Sequence, residues 1–182
     1  PERKLYEPLT GLPNRILFSD RIQSSLDRSR SSDSSRFAVL SIKIVDFKEV
    51  ANGHNGDRDE LFLQIAERAK EVLREGDTLA HIGEETLGAL IMDIRDPSEA
   101  NALAARVLEN LNQPFCVDVQ RVYFQSCIGI AWSGGVFCSG GLVCGGGPAT
   151  WGAAVFRGWW GGKVDERNGR PARAPRHQNK EH

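Results

Sequence analysis

The sequence predicts an α/β (α+β) domain in a ferredoxin-like arrangement, a mixed, mainly antiparallel sheet flanked by helices. Three observations predict it. Apolar periodicity runs in the order helix, strand, helix, hairpin, helix, strands. One strongly apolar run, Phe37 to Val45 (FAVLSIKIV), stands early in that order. Two further short apolar runs, Thr78 to Ile82 and Leu87 to Met92, flank a tight acidic turn.

Glu7 to Arg15 (EPLTGLPNR) reads as a turn leading into a helix, punctuated by Gly11 and Pro13, with Leu12, Ile16, Ile22 and Leu26 at roughly helical spacing. Arg28 to Arg36, rich in Ser, Asp and Arg, reads as a mobile loop. Phe37 to Val45 is then a buried central strand, because β-branched residues dominate it; Lys43 is its odd member. Asp46 to Asp59 is polar and glycine-containing. A helix is expected from about Glu60 to Glu75, with Leu61, Ile65, Ala69 and Val72 on one stripe and Gly76 as its stop. After the hairpin, Asp96-Pro97-Ser98-Glu99 is a helix start, with an acid at the cap, proline in the first turn and glutamate at the third position. That helix should bury Ala100, Leu103, Ala104, Val107, Leu108 and Leu111 and stop before Pro114. Val119 to Phe124 and Ser126 to Ala131 are expected as two strands.

A chain of 182 residues with net charge -1 has room for one real core and no global pull toward nucleic acid or anionic lipid. No apolar run reaches membrane-spanning length and PERKLYEPLTG lacks a signal peptide's apolar core, so a soluble, cytoplasmic segment is expected. The cysteines at 116, 127, 138 and 144 have no CxxC spacing or paired histidines, and reduced thiols are expected. Composition breaks near Ser133: from Gly134 to Gly162 eleven of twenty-nine residues are glycine, which argues against a helix, since each interior glycine costs about 1 kcal/mol relative to alanine.

His81 to Gly88 (HIGEETLG) carries the densest chemistry. Carboxylates on a tight loop beside a glycine make a plausible seat for a divalent cation and a phosphate, or simply a solvated hairpin tip. His54 and His81 are isolated and are read as surface residues rather than ligands.

Several separated pieces together resemble the GGDEF domain, the bacterial diguanylate cyclase family that joins two GTP molecules into cyclic di-GMP. EPLTGLPNR resembles the opening motif DPLTGLPNR. Asp46-Phe47-Lys48 resembles the end of the DxDxFK strand motif, and Asn52 with Gly56-Asp57 a shortened NDxxGHxxGD loop. Arg74-Glu75-Gly76-Asp77 matches the RxxD product-inhibition spacing ahead of the hairpin. Gln113-Pro114-Phe115 and Ser126 to Ala131 resemble the late PF and SIGIA segments. The resemblance covers about Glu7 to Ser133 and implies a nucleotidyl-cyclase-like fold with a GGDEF-type β-hairpin. It also implies nucleotide-binding positions at Phe47, Lys48, Asn52, Asp57 and Gly83, and a cyclic di-GMP inhibitory site at Arg74 and Asp77. The alternative for the last two is ordinary helix-end capping.

The family's chemistry needs Mg²⁺ held by strand and hairpin carboxylates. Without gaps, the two strand aspartates fall on Lys43 and Val45, while Gly83, Glu84, Glu85, Thr86 and Leu87 fall under G, G, D/E, E and F. Glu85 alone remains as a metal-binding acid; Glu84 brings negative charge where a glycine admits phosphate; Ala51 replaces the guanine-recognising asparagine. The expectation is a degenerate domain with no catalytic residues and no cofactor, using Mg²⁺ only if active, and acting as a regulatory or scaffold module. An active cyclase and a pure interaction domain that binds no nucleotide are the alternatives. Lys43 either stands in for the metal or is a strand-end lysine reaching water.

GTP or cyclic di-GMP, and a neighbouring EAL phosphodiesterase or sensor domain, are the expected partners, with no nucleic acid or membrane. LPNR and QPF resemble GGDEF domains that precede EAL domains. Residues 1–133 are expected to form the domain, and 134–164 an aberrant Gly/Trp-rich replacement of the family's last helix and strand, in which Ala154 to Arg157 echo ALYR. Residues 165–182 are expected as a disordered tail. Such an abrupt change is what out-of-frame reading of a GC-rich coding sequence would give.

Overall fold

The structure, a computed structural model, describes residues 4–32, 35–53, 57–134 and 137–144. Its elements are α1 (Arg15–Ser31), β1 (Phe37–Val45), α2 (Phe47–Gly53), α3 (Arg58–Val72), β2 (Thr78–Gly83), β3 (Thr86–Met92), α4 (Pro97–Leu111), β4 (Phe115–Val117), β5 (Gln120–Val122), β6 (Gln125–Gly134) and β7 (Phe137–Cys144). The main sheet runs β2-β3-β1-β6-β7, every pair antiparallel. Its four strands β6-β1-β3-β2 have the order of a ferredoxin-like unit, as expected. His54, Gly56, residues 145–164 of the Gly/Trp-rich segment and all of 165–182 lie outside the described residues.

Strand β1 occupies the range its β-branched run predicts and divides the core by alternation. Ala38, Leu40, Ile42 and Ile44 face α3 and α4, joining Leu61, Ile65, Ala69, Leu103, Val107 and Leu111 in the larger apolar cluster. Phe37 and Val39 face α1, where they meet Phe18, Ile22, Ala80 and Leu90. The Phe18 ring packs against Gly88: a Cβ there would stand 2.5 Å from the ring. That glycine is therefore a packing requirement, and α1 is keyed directly onto β3.

Capping explains most helix starts. Asn14 accepts from Leu17 N at 3.1 Å, Asp57 from Asp59 N at 2.9 Å, and Asp96 from Ser98 N at 2.7 Å. Pro97 opens α4 and Glu99 reaches back to Arg95 N at 2.6 Å; all six residues expected to be buried on α4 are buried.

Other expectations are corrected. Helix α1 continues through Arg28–Ser31, expected as loop, because the Ser29 and Ser31 hydroxyls fold back on helix carbonyls and Ser32 N–H caps Arg28 O. Its buried stripe is Phe18, Ile22 and Ser25, and Ile16 is exposed. The polar stretch after β1 contains helix α2. Helix α3 starts earlier than Glu60, at its Asp57 cap, and ends at Val72; Gly76 lies in the turn beyond. Val119 is not in a strand but in the turn between β4 and β5, fully exposed, where Asp118 at φ 52° reverses the chain. Residues 137–144, in the stretch where glycine argues against a helix, are indeed not helical and form β7 against β6.

Candidate functional site

The opening motif closes on itself before it reaches the site. Gly11, at φ 68°, lets Glu7 N–H bond Leu12 O at 2.9 Å while Gly11 N–H bonds Glu7 O at 2.8 Å. Asn14 then caps α1, and Pro13 O accepts from His81 N at 2.9 Å, so this loop is tied to edge strand β2. His81 is buried, not on the surface as expected. Its ring lies 4.6 Å from that of Phe62 and its Nδ1 is 3.3 Å from Thr10 Oγ1. Burial lowers its pKa, opposed by the Glu7 charge and the Gly83 backbone.

Strand β2 ends at Gly83 and β3 begins at Thr86, leaving Glu84 and Glu85 as the turn, with an irregularity between His81 and Gly83. A Cβ on Gly83 would meet only Thr86, at 3.5 Å. Glu85 O accepts from Ile44 N at 2.9 Å, docking the tip on the end of β1. The register places Lys43 opposite Thr86 and Ile42 opposite the buried Leu87. Half-buried Lys43 therefore stands beside the hairpin. Among the described residues no three His, Cys, Asp or Glu side chains are grouped to hold a metal ion.

Lys48 and Glu84 meet across the tip, Nζ to Oε2 at 2.5 Å. The contact lowers the Glu84 pKa by hydrogen bonding and charge, aided by Arg58, and raises that of Lys48, to which Glu85 also contributes. Sequence reasoning singled out both residues without pairing them, because they are 36 positions apart and meet only when α2 folds beside the hairpin. Phe47 is buried, its ring 5.5 Å from Phe62 and 5.3 Å from Phe124. It anchors Lys48 rather than facing solvent. Ala51 is buried; Asn52 is exposed at the end of α2; Asp57 is engaged as the α3 cap.

At the other end of the hairpin, Asp77 Oδ2 accepts from Arg74 N at 2.9 Å and Nε at 3.3 Å, and Oδ1 from Met92 N at 3.1 Å. Arg74 Nη2 also donates to Met92 O at 2.5 Å. The Asp77 side chain is 1% exposed and that of Arg74 50%. Arg68, not singled out by sequence, fixes the Gln113-Pro114-Phe115 segment: it donates to Gln113 O and Pro114 O, and its guanidinium lies 3.8 Å from the Phe115 ring centre.

The antiparallel β6-β1-β3-β2 order with an acidic tip docked on β1 defines a ferredoxin-like domain that carries its polar loop on a hairpin. The family model described as "Diguanylate cyclase, GGDEF domain" matches residues 4–135, and the chain belongs to that family, whose members work in cyclic di-GMP signalling. Among curated relatives, the bifunctional diguanylate cyclase/cyclic di-GMP phosphodiesterase MucR of Pseudomonas aeruginosa is 35% identical over 129 residues, 70% of this chain and 18% of MucR. The chain thus spans under a fifth of that relative's length. The solved GGDEF domain of TpbB (YfiN) from P. aeruginosa aligns at TM-score 0.64 and 29% identity, covering 70% of this chain and 74% of that one. An EAL/GGDEF domain protein from M. capsulatus aligns at TM-score 0.51 and 31% identity, covering 66% and 78%.

Proposed function

We propose that this is a catalytically inactive GGDEF domain, a regulatory or scaffold module within a larger cyclic di-GMP signalling protein that carries an EAL domain. The observation that supports this most is the register of Lys43 opposite Thr86 beside the docked tip. Magnesium prefers several oxygen ligands, including carboxylates, and sheds water reluctantly. Here the two strand positions carry an ammonium and an isopropyl group, and Glu84 is engaged by Lys48, which leaves Glu85. These residues do not fit the ion. Substituting Ala51 and Thr86 for the family's asparagine and second acid weakens guanine recognition and the tip in the same direction. The Arg74 and Asp77 hydrogen bonds favour a structural role over an inhibitory site, since the carboxylate that would take guanine N–H groups already accepts from the backbone. The similarity to MucR and to an EAL/GGDEF domain protein supports the tandem arrangement.

Incubation of the purified chain with GTP and Mg²⁺, followed by chromatography, should yield no cyclic di-GMP. Detectable product would overturn the reading.

A further inference from the structure

We infer that Glu84 is a tethered occupant of the place a phosphate would take at the hairpin tip, so that this one residue sets whether the tip admits a nucleoside triphosphate. The inference rests on the reading above, that the tip is a disabled nucleotide site, and adds which group disables binding as distinct from chemistry.

Both partners of the Lys48–Glu84 contact are held by backbone that has little freedom. Glu84 belongs to a two-residue turn whose other member is bonded to Ile44 through its carbonyl. Lys48 follows Phe47, whose ring is wedged between Phe62 and Phe124. A surface ion pair between two flexible chains gains little, because ordering both costs entropy. In this pair both main chains are held by other contacts, and Nζ stands 2.5 Å from Oε2. An oxyanion within hydrogen-bond reach of an ammonium is the arrangement a phosphate oxygen would adopt. Arg58 acts on both members, lowering each pKa, and so adds positive potential at the same place. The tip therefore has the cations to attract a polyphosphate, with a carboxylate of its own already seated. A triphosphate arriving here must displace Glu84 and then lie beside two glutamates, and like charges in contact oppose binding. A Cβ added at Gly83 would meet only Thr86, at 3.5 Å, so a methyl-sized group is tolerated beside the turn.

Calorimetric titration of the full chain with GTP, without and with Mg²⁺, tests this on wild type, Glu84→Gly, Glu84→Gln and the double variant Glu84→Gly with Lys48→Ala, each first checked by thermal melting. Glu84→Gly should bind GTP at least about tenfold more tightly than wild type, as expected when a like charge is removed from a contact. Glu84→Gln should recover part of that gain, and the double variant should lose it. Equal affinity in wild type and both single variants would overturn the inference, as would a gain that survives loss of Lys48. Product formation is read in a separate assay: cyclic di-GMP from wild type would sink the proposed function and the inference with it, whereas unchanged GTP affinity in the Glu84 variants with no product from wild type would sink the inference alone.

Discussion

The β2–β3 hairpin carries a basic–acidic pair at each end, and the two pairs are built differently. At the base, Asp77 is almost completely buried and serves two backbone N–H groups as well as Arg74, which itself reaches Met92 O. At the tip, Glu84 and Lys48 are 79% and 45% exposed and bond only each other among the contacts described for them. A basic–acidic pair thus does two jobs. Buried and bonded to main chain, it fixes where strands begin and end; exposed and bonded to a side chain, it leaves the surrounding main chain little dependent on it.

Breaking the base should have the largest effect on stability. Asp77→Ala leaves Met92 N–H and Arg74 without their acceptor, and unfolding by denaturant should show a loss of about 2–3 kcal/mol, the penalty for orphaning such groups. A loss within error of zero would erase the distinction between the two ends. A smaller effect belongs to His81, which lies between them. Its folded pKa is lowered, so the stability it supports is complete above the unfolded value of about 6.5 and is lost as pH falls through the folded value. Melting temperature measured from pH 7.5 down to about 5 should fall more steeply in wild type than in His81→Phe, which keeps the contact with Phe62 and cannot charge. Parallel curves would show that the imidazole does not titrate with unfolding. The smallest change is expected at the tip: Glu84→Gly and Lys48→Ala should melt as wild type does, since exposed pairs contribute little. A drop comparable to that of Asp77→Ala would make the tip pair structural and sharpen the case against ligand exchange there.

The parts legible in sequence were those encoded locally. The β-branched run of β1, the Asp96-Pro97-Ser98-Glu99 start of α4 and the acidic turn between two apolar runs each carry their instruction within a few residues, and each forms as read. Helix α2 was not legible, because seven residues with Asn and Gly at the end present no helical period of their own; Phe47 and Ala51 are helical because they pack inward. Serine-rich α1 hid its last turn for a related reason, since serine hydroxyls satisfy helix carbonyls only once the helix exists. His81 read as solitary because its neighbours, Thr10 and Phe62, are distant in sequence. The candidate site was half visible. Its residues were named from motifs, while the engagement of Glu84 by Lys48 and of Asp77 by Met92 depends on tertiary placement that no spacing rule conveys.

The seat of Phe18 on Gly88 has a genetic corollary. With an added Cβ only 2.5 Å from the ring, positions 18 and 88 cannot drift independently. A side chain at 88 demands a smaller one at 18, so a damaging Gly88→Ala allele should find its suppressors on the first helix, seventy residues away, rather than among the neighbours of the strand it disrupts.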